Sequence, residues 1–166
     1  MKILAYVVAI VIAIALVIVG IGYALPVNHT ASLERVYAAP ASRVFEAISS
    51  PSEFPLWRSD VTGVDMLPDE AGRRSFREVG KDGSITYVVE ESEPGSRLVT
   101  RIAGDDLPFG GTWTYELTPQ DGGTSLRITE DGEVYNPIYR FMSRFVFGHH
   151  ATMKKYLDDL GQHLKA

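Results

Sequence analysis

"GGTWTYELTPQDGGTSLRITEDGEV", Gly110–Val134, is the stretch on which the fold turns. Trp113, Tyr115 and Leu117 occupy alternate positions, and so do Leu126 and Ile128, with the turn-forming "PQDGG" at 119–123 between them. Successive side chains on a strand point to opposite faces, so the segment predicts an antiparallel hairpin with one apolar face. Upstream, "VTGVDML", "RRSFREV", "SITYVVEE" and "RLVTRIA" are equally short and rich in β-branched and aromatic residues. Turn formers separate them at 69–72, 80–83, 93–96 and 104–111, which makes six consecutive strands a meander. Within it Ile85, Tyr87 and Val89 share a parity, and "SLERVY" before Ala38 is compatible with a first strand.

Both flanks of the meander read as helices. Downstream, Asn136 and Pro137 form a cap and first-turn pair. Ile138, Met142, Phe145, His149, Met153, Tyr156, Leu160 and Leu164 then recur three or four apart, predicting one long carboxy-terminal helix with a single apolar stripe. Lys154 with Asp158 and Lys155 with Asp159 are expected pairs on its surface. Between the first strand and the meander, Pro40 suits a helix start, Val44, Phe45 and Ile48 form one face, and "SSP" at 49–51 ends it. "SEFPLWRSD" reads as a further short turn carrying Phe54, Leu56 and Trp57.

The amino-terminal run Ile3–Leu25 carries no charge. As a helix it would extend about 34 Å, enough for a hydrocarbon core of roughly 30 Å. It reads as a retained transmembrane anchor; a cleaved signal peptide is the other reading, although the apolar run exceeds the usual signal length. Lys2 and the amino terminus precede the span, whereas Glu34 and Arg35 cancel after it, so the amino terminus is expected inside and the domain on the outer face of the cytoplasmic membrane. Residues 1–25 are thus expected as anchor, 26–31 as tether and 32–166 as the domain.

Composition narrows the chemistry. The chain has no cysteine, which removes disulfides, thiolate metal sites and cysteine nucleophiles. With 21 acidic against 16 basic residues and no cluster of Lys and Arg, nucleic acid is not an expected partner. No nucleophile elbow, phosphate loop or dinucleotide fingerprint is present, and the four histidines lack metal-ligand spacing, so neither cofactor nor metal is expected.

Strand, two short helices, six strands and a closing helix is the element order of the helix-grip fold, an α+β architecture. "YAAPASRVFEAISSPSEFPLWRSDV" resembles the opening of the SRPBCC (START-like) superfamily, in particular its polyketide cyclase/dehydrase-type family. Its turn reads Ser50, Pro51, Phe54, Pro55 and Trp57, with serine where that family commonly has aspartate. Gly110–Val134 is similar to the family's penultimate hairpin, and "NPIYRFMSRFVFG" to its helix start. The resemblance implies a curved sheet of about seven strands around the long helix, enclosing a cavity for a hydrophobic small molecule or lipid. It implies no one activity, since the superfamily hosts carriers, receptors and cyclases.

Expected ligand-lining residues are Trp57, Tyr87, Trp113, Tyr115, Met142, Phe145, His149 and Met153. Candidates for acid/base work are His149, which lies on the helix stripe, and Glu130, which continues the parity of Leu126 and Ile128. For His149 a satisfied interior histidine, a ligand-orienting donor or base, and a metal ligand stay open; for Glu130, solvation and burial do. Arg58 is expected at the cavity rim, facing an acidic head group or water, and Arg101 has no clear facing. "GDDLPFGG", 104–111, is either a lid or a plain surface connection. Three functions follow as alternatives: a binding protein for an apolar ligand, a cyclase-, dehydratase- or hydrolase-type enzyme, and an envelope interaction module whose cavity is filled by its own side chains.

Overall fold

Alternation and turn chemistry place the strands where the sequence predicts them. A computed structural model describes residues 2–81, 83–104, 107–148 and 150–165. The strands are β1 (Asn28–Tyr37), β2 (Val61–Glu70), β3 (Arg73–Gly80), β4 (Gly83–Glu93), β5 (Arg97–Ala103), β6 (Phe109–Gln120) and β7 (Gly123–Val134). They form one curved antiparallel sheet in the order β1-β7-β6-β5-β4-β3-β2. The β6–β7 register sets Tyr115 opposite Ile128 and Leu117 opposite Leu126, so the apolar parity of the hairpin becomes a continuous inner face.

Helices α2 (Ala41–Ser49), a 3-10 turn (Pro51–Glu53) and α3 (Phe54–Trp57) bridge β1 to β2. Helix α2 buries Val44, Phe45, Ala47 and Ile48, the face its periodicity specifies. At the carboxy terminus, α5 (Ala151–His163) lays Met153, Tyr156, Leu157 and Leu160 on the sheet's inner face, against Leu98, Tyr115, Leu126 and Ile128. Two buried hydroxyl bonds close the core: Tyr37 Oη donates to Leu157 O at 2.8 Å and Thr124 Oγ1 to Ala39 O at 2.8 Å.

Two expectations need correction. The carboxy-terminal segment is not one continuous rod: α4 (Pro137–Met142) runs into a π-helical turn (Ser143–Phe147) and stops at Gly148, whose φ of 72° and ψ of 159° suit glycine and no other residue. The tether is also shorter than 26–31, because β1 begins at Asn28, paired with Glu133. His149 lies outside the described residues.

The apolar helix α1 (Lys2–Ala24) is long and apolar enough to cross a membrane. Its last turns rest on α4. A Cβ at Gly22 would collide with the Pro137 carbonyl, so only glycine permits this approach. Arg140 of α4 donates from Nη1 to Leu25 O at 2.9 Å, and its guanidinium lies 6.0 Å from the Tyr23 ring. Asn136 caps α4, its Oδ1 accepting from Ile138 N at 2.9 Å and Tyr139 N at 3.3 Å.

Candidate functional site

The inner face of the sheet carries one concentration of charge, and α3 supplies its centre. Arg58 follows the last residue of α3, where the chain turns into β2. Its neighbour Ser59 is tied to α5: Ser59 N and Oγ both donate to Asp159 Oδ2, at 2.9 and 2.8 Å, and Lys155 Nζ donates to the same carboxylate at 2.9 Å and to Ser59 Oγ. That clasp aims Arg58 inward. Arg58 Nη1 donates to Glu78 Oε1 at 2.6 Å and Nη2 to Asp60 Oδ2 at 2.8 Å, while the guanidinium plane lies over the rings of Phe54 and Tyr156.

Glu78 reaches Arg58 because it shares the inward parity of Phe76 on β3, and its side chain is only 11% exposed. Burial pushes its carboxyl above the usual range, and the Arg58 charge and bond offset this only in part. Burial acts on Asp60 in the same direction, but the bond and charge of Arg58 outweigh it and hold Asp60 below its ordinary value. Arg58 itself stays cationic, since Glu78 and Asp60 more than offset its desolvation. The cluster is therefore an arginine held between a readily ionised carboxylate and one that holds its proton more easily.

Three tyrosines enclose the cluster. Burial raises the hydroxyl pKa values of Tyr87, Tyr115 and Tyr156, which keeps all three neutral donors. Tyr156 Oη is buried with no hydrogen bond of ordinary geometry, and Tyr115 is the polar group beside it.

Space around the cluster divides in two. Inside, a cavity of about 50 Å³ is lined by Phe76, Tyr87, Leu98, Trp113 and Tyr115 together with Arg58 and Glu78. It is large enough for water and too small for a drug-sized apolar molecule. Outside, a groove of about 540 Å³ is walled by Ile85, Leu107, Pro108, Phe109 and Tyr139. The two spaces share Arg58, Glu78, Tyr87 and Thr152, so the charged cluster lies between a wide groove and a narrow pocket. Of the 104–111 stretch, Leu107 and Pro108 precede β6 and Phe109 is its first residue, and these three form one wall of the groove.

The residues expected from sequence are only partly brought together. Tyr87, Trp113 and Tyr115 line the inner cavity. Trp57 instead packs into the core, stacked on His163 at 5.8 Å and edge-on to Tyr156 at 5.2 Å. Met153 is fully buried beneath the cluster without lining either space, Met142 sits half-buried on α4, and Phe145 is 60% exposed on the π turn. The break at Gly148 explains the last two, because the stripe before it no longer follows the face of α5. Glu130 lies opposite Trp113 and 3.4 Å from His29, away from Arg58. Burial raises its pKa against the opposing influence of Trp113 and His150. Arg101 faces outward, bound to Glu90 at 2.7 Å. Glu78 and Asp60 complete the cluster without having been singled out in the sequence, and Tyr156 was read only as part of the helix stripe; for Glu78 the signal was present in the Phe76–Glu78 alternation.

A family model described as polyketide cyclase / dehydrase and lipid transport matches residues 28–166. Among solved structures, a START superfamily protein from Mycobacterium smegmatis superposes with a TM-score of 0.66 at 18% identity, over 82% of this chain and 97% of the other. The Zhui aromatase/cyclase from a Streptomyces species gives 0.66 at 13% identity over 83% and 94%. A protein of Chromobacterium violaceum gives 0.61 at 21% identity over 82% and 97%. No curated protein matches the chain.

Proposed function

The chain belongs to the polyketide cyclase/dehydrase and lipid transport family, and from that premise we propose that it is a membrane-anchored START-like domain that binds a hydrophobic small molecule or lipid in the groove between sheet and carboxy-terminal helices. The observation that carries this reading is the 540 Å³ groove ending on Arg58, Glu78 and Tyr87. Its volume falls in the range of small-molecule sites. Its walls set Ile85, Leu107, Phe109 and Tyr139 beside the polar Lys81 and Ser84, and its floor offers a cation, carboxyls and a hydroxyl, which suits a largely apolar molecule with a polar end. Helix α1 would hold the domain at the bilayer, where such molecules concentrate, and the charges around the span favour a domain on the outer face.

The test is gentle purification of the full-length chain followed by native mass spectrometry. A defined apolar mass at near-unit occupancy, reduced in Arg58→Met and Tyr87→Phe, is the expected result. An apo mass that persists after incubation with a membrane lipid extract would overturn the reading.

A second reading, an enzyme of cyclase or dehydratase type, draws on Glu78, a carboxyl that burial biases toward its protonated form beside a fixed cation. Such a pair can deliver a proton to an oxygen held by the arginine. Turnover of a polyketide-like substrate that Glu78→Gln abolishes while ligand binding persists would select this reading over simple binding.

A further inference from the structure

The junction between α1 and the domain holds a second cavity, of about 280 Å³, remote in chemistry from the Arg58 groove. Leu25 and Val27 form its membrane-side wall, His29 comes from β1, and Arg140, Ser143 and Arg144 come from α4 and the π turn. A buried guanidinium such as that of Arg140 is costly unless an anion accompanies it, and the exposed Arg144 adds a second cation at the cavity's edge. Among the described residues neither Arg140 nor Arg144 forms an ion pair, whereas six other arginines do. Arg140 is 8% exposed, bonds only backbone carbonyls at Leu25 and Tyr135, and keeps a buried Nε with no hydrogen-bond partner. Glu130 does not line the cavity and is engaged with His29.

The surroundings say what kind of anion fits. The cavity begins where the apolar helix ends, and the surface beside it is apolar without being covered: Tyr23 is 69% exposed, Tyr139 53%, Phe145 60% and Val146 56%. Tyrosines and aliphatic groups ringing the end of a spanning helix, with arginines just above, match the composition of a membrane interface. Arginine also binds phosphate oxygens through paired N–H donors, which suits a phosphodiester better than a point charge would. We infer that the α1–α4 junction is a phospholipid headgroup site, in which Arg140 and Arg144 take the lipid phosphate while Tyr139, Phe145 and Val146 rest among the upper acyl chains. The inference rests on α1 being a retained anchor. Tyr139 also walls the groove, so a lipid held here would set the groove mouth at the bilayer surface.

The experiment uses the full-length chain, first washed in membranes with alkaline carbonate and then solubilised and titrated with dioleoylphosphatidylglycerol under native mass spectrometry. Retention in the membrane is expected, followed by a single lipid adduct that Arg144→Gln weakens by about tenfold, the loss of one charge-assisted contact. Arg144 is exposed, so this variant does not depend on refolding a buried site; Arg140→Gln should weaken binding further. Arg58→Met should leave this adduct in place. An adduct indifferent to Arg144 and Arg140, an equal adduct with dioleoylglycerol, or displacement by equimolar inorganic phosphate would each overturn the site. An adduct lost in Arg58→Met but not in Arg144→Gln would put the lipid in the groove, overturning this inference and leaving the groove function standing. Release by carbonate would remove both the anchor and this site.

Discussion

The two halves of the carboxy-terminal segment carry one apolar stripe and meet opposite fates. After Gly148, Met153, Tyr156 and Leu160 of the stripe are almost wholly buried against the sheet; before it, Ile138 and Phe145 are about half exposed, as are their neighbours Tyr139 and Val146. Helical periodicity reports that a face is apolar. It does not report whether that face meets the protein's own core or stays uncovered by it.

The largest expected effect probes the buried half through Arg58, which lies 5.1 Å from the Tyr156 ring. Arg58→Met strands Glu78 and should lower unfolding stability by about 3–5 kcal/mol at neutral pH, measured by urea denaturation in mild detergent. Glu78→Gln should cost much less, because burial already disfavours the charged form. The pH dependence has a definite sign. Since the folded carboxyl titrates above its unfolded value, the folded state binds more protons between the two, and this group's contribution falls as pH rises through that window. The Arg58→Met deficit should therefore shrink on acidification toward the unfolded carboxyl range, and equal deficits at acid and neutral pH would show that Glu78 is not the stranded group.

Next in size is the direct comparison of the halves. Leu160→Ala, at a fully buried site, should cost about 2–5 kcal/mol. Phe145→Ala should stay within about 0.5 kcal/mol of the parent in detergent. Similar losses at both would mean that the stripe is covered along its whole length. The joint itself comes third: Gly148→Ala forces a side chain into a backbone region reserved for glycine, at a cost of about 1–3 kcal/mol by thermal unfolding. Smaller than the losses at Leu160 and Gly148 is that of Tyr37→Phe, which removes one of the bonds holding α5 to β1, beside the Arg35–Asp158 ion pair, and should cost about 1 kcal/mol. No change there would mean that packing, the Arg35–Asp158 pair and the Ser59–Asp159 clasp suffice to seat α5.

Much of the fold was legible. The alternation of Trp113, Tyr115, Leu117, Leu126 and Ile128 specified a hairpin that the β6–β7 register reproduces, and turn residues bounded the other strands of the meander, whereas the start of β1 at Asn28 carried no such signal. The charged cluster was legible only in fragments. Arg58 stood out as a cation next to an aromatic turn, and Glu78 shared parity with Phe76, but the two are 20 positions apart and meet only because β3 curves over α3. Trp57 and Met153 were expected at a cavity wall and are core, since a buried aromatic and a ligand-lining aromatic have the same signature along the chain.

Local rules acting over a few residues were therefore enough for the strands, the Asn136 cap, the apolar amino-terminal helix and the family resemblance: alternation, capping and uninterrupted hydrophobicity are properties of neighbours in sequence. Three matters were settled by long-range packing alone. These are the pairing of Arg58 with Glu78, the narrow pocket and wide groove on either side of it, and the seating of α1 on α4 through Gly22 and Arg140. Each depends on which surfaces meet across the fold, and a residue's partner at that distance is chosen by the curvature of the whole sheet, to which no short stretch of sequence has access.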